Sequence, residues 1–277
     1  MNFKIDIFAT IDGIGAASGI VHLDNNLFII GDNSNFLYQY SIATKKLKKH
    51  GLAENSQANI AKKQKPDFEA ITLKNKKLHI FGSGSTKNRN LKIIFDLGKQ
   101  TTKNKDCTKL YQKFKNTAQL TDDDLNIEGA MYHNNNLYLI NRGNGATTKN
   151  GIFIKNKITK TISYHSYHLP IINGVVTSFT DAIIANNKIY FLACAEDSSS
   201  TYLDGTVYGS ILGIIDPETL EVIWTIQISD NQKFEGLTIY SHSENEINFL
   251  LCEDNDTEQL QSNLYQLTIY NHDKHSI

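Results

Sequence analysis

Phe68-Glu69-Ala70-Ile71 opens an apolar run, and the same phrase returns as Ile127-Glu128-Gly129-Ala130 and Phe234-Glu235-Gly236-Leu237. Each copy places an apolar residue, a carboxylate and a small residue ahead of a strand-like segment. A looser copy is Thr180-Asp181-Ala182-Ile183, and a degenerate one is Ser18-Gly19-Ile20. The central residues Ser18, Glu69, Glu128, Asp181 and Glu235 lie 51, 59, 53 and 54 positions apart, and the interval closing through the two termini is 60. Self-similarity at a nearly fixed period is the mark of a repeat architecture, in which each unit buries its apolar surface against the next.

Outward from each copy the chain breaks into short β-rich runs bounded by Asn, Gly, Asp and Lys turns. The fourth repeat is the clearest, with runs at 182–185, 188–195, 210–215 and 220–228. In the second, runs at 70–73, 78–81, 91–97 and 108–111 give four strands. The fifth repeat has only three runs, at 237–241, 247–252 and 264–270, and residues 3–9 at the other terminus supply a fourth. A strand from the N-terminus that completes the last sheet closes a ring and removes open sheet edges. The expectation is an all-β fold: a five-bladed β-propeller of four-stranded blades, a single domain over residues 1–277. One helix is expected, over residues 110–120.

Bulk properties narrow the function classes. Twenty-eight basic residues against 29 acidic ones leave a net charge of −1, which offers no electrostatic footprint for nucleic acid or an anionic membrane. No apolar run is long enough to span a bilayer, and the N-terminus lacks the apolar core of a signal peptide, so a cytoplasmic monomer is expected. Cys107, Cys194 and Cys252 have no metal-ligand spacing and read as small buried thiols.

In a propeller blade the innermost strand lines the central channel. The turns between first and second strands are tight (24–26, 74–76, 134–136, 186–187), whereas the loops after the second strands and between blades are long and polar. Long loops on a rigid scaffold are where binding and catalysis concentrate. The acids of the phrase fall at the start of each channel strand, on that same face, so Glu69, Glu128, Asp181 and Glu235 converge on the channel mouth. Further polar groups follow the second strands: Asp32, Ser83, Asn141, Glu196 or Asp197, and Glu253 or Asp254. Clustered carboxylates either rise in pKa or take up cations. Oxygen-only ligands suit a hard cation, Ca²⁺ ahead of Mg²⁺ or Mn²⁺, with Glu69, Glu128, Asp181, Glu235 and Asp32 as ligands. The alternative is structural, each acid capping backbone N–H groups of the neighbouring blade. The run Asp254-Asn255-Asp256-Thr257-Glu258 has alternating oxygens but lacks the glycine of a Ca²⁺ loop.

Only two arginines occur, Arg89 and Arg142, both after second strands of adjacent blades. Guanidinium binds carboxylate or phosphate through a planar fork that lysine cannot copy. With Ser83, Ser85 and Asn141 they form a candidate anion cradle, or else they pair with the acid ring. Tyr202 or Tyr208, in the longest loop, could join the site.

Pro66-Asp67-Phe68-Glu69-Ala70, Gly82-Ser83-Gly84-Ser85 with Arg89, Asn141-Arg142-Gly143 and Phe234-Glu235-Gly236-Leu237 resemble an uncharacterised group of bacterial propellers over essentially the whole chain. More distantly, the chain looks like phytase-like and gluconolactonase-type calcium propellers. The distant resemblance implies a divalent cation in or near the channel and a phosphate or sugar-derived ligand. The resulting expectation is a divalent-metal-dependent hydrolase of a small phosphorylated or sugar-derived ester, with Glu69, Glu128 or Glu235 as base and a small anionic partner. The competing expectations are a non-catalytic ligand- or protein-binding propeller and, third, a glycosidase using a pair of the acids.

Overall fold

The computed structural model describes residues 2–145, 147–198, 205–254 and 260–270. In chain order the strands are β1 (Asn2–Asp12), then β2 (Ala17–Leu23), β3 (Asn26–Gly31), β4 (Phe36–Ser41) and β5 (Lys46–Gly51) of blade one. Blade two is β6 (Phe68–Lys74), β7 (Lys77–Gly82), β8 (Leu91–Asp96) and β9 (Thr101–Asp106). A helix α1 (Thr108–Ala118) leads into blade three, formed by β10 (Ile127–His133), β11 (Asn136–Asn141), β12 (Gly151–Asn156) and β13 (Ile162–Ser166). A small hairpin of β14 (Ile171–Ile172) and β15 (Val175–Val176) precedes blade four, which is β16 (Ser178–Ala185), β17 (Lys188–Asp197), β18 (Thr206–Ile215) and β19 (Val222–Gln227). Blade five takes β20 (Phe234–His242), β21 (Glu246–Glu253) and β22 (Gln261–Tyr270), and β1 is its outermost strand. The protein is a five-bladed β-propeller closed by its N-terminal strand, as the phrase spacing predicts.

Closure is antiparallel, from Asn2 opposite Tyr270 to Asp12 opposite Gln261. The inner hairpins turn through residue pairs with positive φ: Asn75-Lys76, Asn134-Asn135 and Asn186-Asn187. That conformation matches the twist of the flanking strands and explains the asparagines. Apolar clusters fill the spaces between blades; Tyr190, Leu212 and Ile214 of blade four, for example, meet Phe249, Leu267 and Ile269 of blade five.

One strand differs from expectation. Residues 108–111 are not the fourth strand of blade two but the start of α1, and the fourth strand is the Thr-Thr-Lys-Asn-Lys-Asp run of β9. Every residue of β9 is exposed, so no apolar alternation betrays it. The helix is anchored by Tyr111, Phe114 and Ala118, spaced to share one face, and Phe114 stacks on Phe153 of blade three at 4.5 Å between ring centres. All three cysteines are buried and unbridged. Among the described residues no helix is long and apolar enough to cross a membrane.

Candidate functional site at the channel mouth

Each channel strand carries a one-residue bulge near its start. In blades one, two, three and five the residue skipped by the ladder is Ser18, Glu69, Glu128 and Glu235. A bulge leaves its residue unpaired and re-aims the side chain, which is why the carboxylate of the phrase leaves the ladder here. In blade four the skipped residue is Thr180, not Asp181. The ring therefore reads Ser18, Glu69, Glu128, Thr180, Glu235, and Asp181 stands one position further along, where the other blades have Gly19, Ala70, Gly129 and Gly236.

That register shift separates two jobs. Ser18 donates its hydroxyl to the Phe68 carbonyl at 2.5 Å, and Thr180 does the same to the Phe234 carbonyl at 2.6 Å. Both hydroxyls thus hold the residue just before the next blade's glutamate. Asp181 accepts the Ala182 N–H at 2.7 Å and the Leu237 N–H of blade five at 2.8 Å, so its carboxylate latches neighbouring blades. Small residues elsewhere in this position follow from close packing: a Cβ on Gly236 would lie 2.4 Å from Cys252 Sγ and 3.0 Å from Gly19 Cα.

The remaining acids divide into two ion-pair chains with Glu69 between them. In the first, Lys65 bridges Asp32, by a short contact, and Asp67 at 2.8 Å. Asp67 also accepts from Arg89 at 2.8 Å and from the Ser83 hydroxyl at 2.5 Å. Arg89 donates further to Ser85 at 2.7 Å and to the Lys62 carbonyl at 3.2 Å. In the second, Arg142 ties three blades together: it contacts Glu196 closely, lies 3.5 Å from both Glu128 and Glu235, and donates to Ser178 at 3.2 Å. Lys233 adds contacts to Glu235 at 3.0 Å, Asp254 at 3.2 Å and Glu196 at 3.7 Å. Asn126 donates to Glu128 at 2.6 Å. Asn141 receives the Asn126 N–H and donates to the carbonyls of Asp124 and Lys149, holding the following loop. Of the paired alternatives read from sequence, Glu196 and Asp254 join the network; Glu253 accepts from Tyr265, and Asp197 is exposed.

Glu69 is different. It is buried, yet among the described residues its carboxylate makes no hydrogen bond or ion pair. One of its oxygens lies within 4.8 Å of oxygens of Asp32 and Asp67, a set that could hold a metal ion. Burial, then the charges of Asp67, Glu128, Glu235 and Asp32, push its pKa well above the usual carboxylate range. Burial also raises Glu235 well above that range against the pull of Lys233 and Arg142, and raises Glu128 to about 6. For Glu196, burial is outweighed by Arg142 and Lys233, which hold it below its ordinary value. Seven carboxylates (Asp32, Asp67, Glu69, Glu128, Glu196, Glu235, Asp254) meet four basic groups (Lys65, Arg89, Arg142, Lys233) among the described residues, so full ionisation leaves three uncompensated negative charges.

Sequence reading missed Asp67, Asn126 and Lys233. They share one signal: each stands two residues before a ring glutamate, just ahead of the channel strand. Tyr202 and residues 255–258 lie outside the described residues, and Tyr208 packs against the blade-four core.

Comparison with solved structures reproduces the fold at low identity. The chain is similar to Myxococcus xanthus glutaminyl cyclase (13% identity, TM-score 0.54, covering 96% of this chain and 97% of that one). It is also similar to the major Malassezia sympodialis allergen Mala s 1 (11%, 0.54, 96% and 99%). A third is the aldose sugar dehydrogenase of Streptomyces coelicolor in its PQQ-bound form (9%, 0.53, 96% and 98%). At these identities the likeness is one of fold. No curated protein sequence matches the chain. Residues 13–269, nearly the whole ring, match the model of a family of unknown function, DUF6929, and the chain belongs to that family.

Proposed function

We propose that the channel mouth binds a divalent cation, Ca²⁺ by preference, and that the protein hydrolyses a small phosphorylated or sugar-derived ester there. The observation that carries this reading is Glu69, a buried carboxylate that makes no hydrogen bond or ion pair among the described residues and lies beside Asp32 and Asp67. An all-oxygen donor set fits a hard cation, and a bound cation offsets the burial and mutual repulsion that otherwise hold these acids protonated. Lys65 already bridges Asp32 and Asp67, so a cation competes with its ammonium. We leave Asp181 out of the ligand set, since both its oxygens accept backbone N–H groups.

When bound, the cation supplies the charge that holds the ligand's anionic group and polarises its ester oxygen. Glu128, with a pKa of about 6 and oriented by Asn126, is suited to take a proton from water at neutral pH. Glu235, held protonated to higher pH, is suited to give one to a leaving oxygen. Arg89 and Arg142 are buried against carboxylates and in this reading set the charge of the acids around them.

A second reading, a non-catalytic ligand- or protein-binding propeller, is favoured by Arg142, which clamps acids of three blades as a structural tie would. Cysteine usage, three buried and unbridged thiols, supports a cytoplasmic setting. Lysines on the outer strands β5 and β9 discourage edge pairing and support a monomer. The test is a panel of phosphomonoesters and sugar lactones assayed with Ca²⁺ and with chelator. Calcium-dependent turnover abolished in Glu69→Gln is expected; turnover that survives Glu69→Gln overturns the hydrolytic assignment.

A further inference from the structure

The ladder of blade two gathers five lysines on one face. Thr72, His79, Ile94 and Lys103 lie opposite one another across its four strands, as do Lys74, Lys77, Asp96 and Thr101. The next row toward the mouth is Phe81, Lys92 and Lys105. Paired residues point to the same side of a sheet, so Lys74, Lys77, Lys92, Lys103, Lys105 and His79 share the face turned toward blade three. The opposite face carries Leu78, Ile80, Ile93 and Phe95 and is packed in the apolar core with blade one. Between blades four and five the corresponding space is filled by aliphatic and aromatic side chains. Between blades two and three, α1 and its apolar neighbours fill the space out to Ile162 and Tyr164 of β13, while further from the mouth this face of blade two carries lysines and borders a groove.

At the inner end of the groove stands Tyr132 of blade three. Lys74 Nζ lies 4.2 Å from its ring centre and Lys157 Nζ 4.4 Å, while Lys92 Nζ donates to its hydroxyl at 2.9 Å. His79 Nδ1 meets the same hydroxyl at 2.8 Å. None of Lys74, Lys92 and Lys157 has a carboxylate partner among the described residues. His79 also lines a cavity of about 460 Å³ that extends along Lys77, Lys103 and Lys105, whose single acid, Asp96, is paired with Lys77 at 3.2 Å.

Like charges gathered without counter-charge repel one another, and a ring face compensates a cation only in part. The electrostatics agree: burial and neighbouring lysines lower Lys92 to about 8, and burial and Lys74 do the same for Lys157. His79 is held down to about 3 by burial, then by Lys92, Lys157, Lys74 and Lys105. What the groove lacks is an anion. We infer that the groove between blades two and three is a binding site for a small soluble anion bearing two or more phosphoryl groups. Ammonium groups bind phosphoryl oxygens as point charges with no fixed plane, so lysines suffice. One phosphoryl group meets Lys74, Lys92 and Lys157 around Tyr132, and a second faces the lysines of β7 and β9. A membrane surface is the poorer fit, because Lys92 and His79 are half-buried between blades and a flat bilayer reaches only the outer lysines. The groove is separate from the channel mouth in residues and in charge, and stands or falls independently of the cation site.

The experiment is calorimetric titration of pyrophosphate into the full chain without divalent metal, at low ionic strength of about 20 mM, where exposed charges are least screened. Binding is expected in the wild type and should weaken at least tenfold in the Lys92→Gln/Lys157→Gln double variant. Lys109→Gln, an equal loss of charge per site on the exposed side of α1, should change affinity less than twofold. Thermal unfolding of each variant checks that the fold is retained, and the single variant Lys74→Gln, beside the Tyr132 ring, gives a second measure if the double variant is unstable. Absence of pyrophosphate binding, equal affinity in Lys109→Gln and the groove variants, or binding to phosphatidylglycerol vesicles without binding to pyrophosphate would each overturn the inference.

Discussion

The channel mouth and the groove between blades two and three put the same side-chain chemistry to opposite use. At the mouth, carboxylates outnumber cations, and every arginine and lysine there is engaged by acids: Arg142 by Glu128, Glu196 and Glu235, and Lys233 by Glu196, Glu235 and Asp254. In the groove, lysines outnumber acids, and Lys74, Lys92 and Lys157 gather around one tyrosine. A nearly neutral chain has sorted its charges into an acidic centre and a basic flank. The lesson is that net charge of −1 says little about partners once the fold has separated the signs.

Substitution of a cation should therefore have opposite effects in the two places. Arg142→Met leaves three buried carboxylates without their shared partner and should destabilise the fold by about 3–5 kcal/mol in urea unfolding. If Arg142→Met costs no more than a surface change, the mouth is not the coupled network described. Lys65→Met removes the competitor for Asp32 and Asp67, and Ca²⁺ affinity should rise by roughly tenfold, the effect of about one kcal/mol or slightly more.

The pH dependence is a third comparison. Glu128, Glu69 and Glu235 have folded-state pKa values above their ordinary ones, so the folded state holds more protons than the unfolded chain once pH exceeds the ordinary glutamate value of 4.5. Stability should then fall as pH rises from about 4.5 through 6, with Glu128 alone accounting for about 2 kcal/mol. Glu196, shifted down by Arg142 and Lys233, acts the other way. Melting temperatures at pH 5 and pH 7.5 decide the sign; addition of Ca²⁺ should narrow the gap. The smallest effect belongs to the groove: Lys157→Gln should stabilise by less than about 1 kcal/mol at low salt, and the gain should vanish at high salt.

Much of this molecule was legible in the sequence because the phrase is a structural requirement. The bulge needs an unpaired polar residue, and in four of the five blades close packing keeps the residue after it small, so blade count, closure by β1 and the common face could be read from spacing. The misreadings come from places where that logic relaxes. Thr180-Asp181 satisfies the phrase one residue out of step, and only the ladder reveals that Thr180 occupies the ring. Strand β9 has no apolar residue to announce it. The two arginines were rightly singled out as unusual, but whether they faced a ligand or the acids depended on contacts across three blades. Lysines scattered from position 74 to 157 carry no local signal at all; only the register of blade two gathers them.

If the mouth holds a cation, Glu69 is part of its ligand set. The direct measurement is calorimetric titration of Ca²⁺ into the wild-type chain and into Glu69→Gln at pH 7. The wild type should show one saturable site, weakened at least tenfold by Glu69→Gln, while melting without Ca²⁺ rises or is unchanged in the variant because a buried carboxylate crowded by other acids has gone. No saturable binding in the wild type, or equal affinity in both proteins, would contradict it.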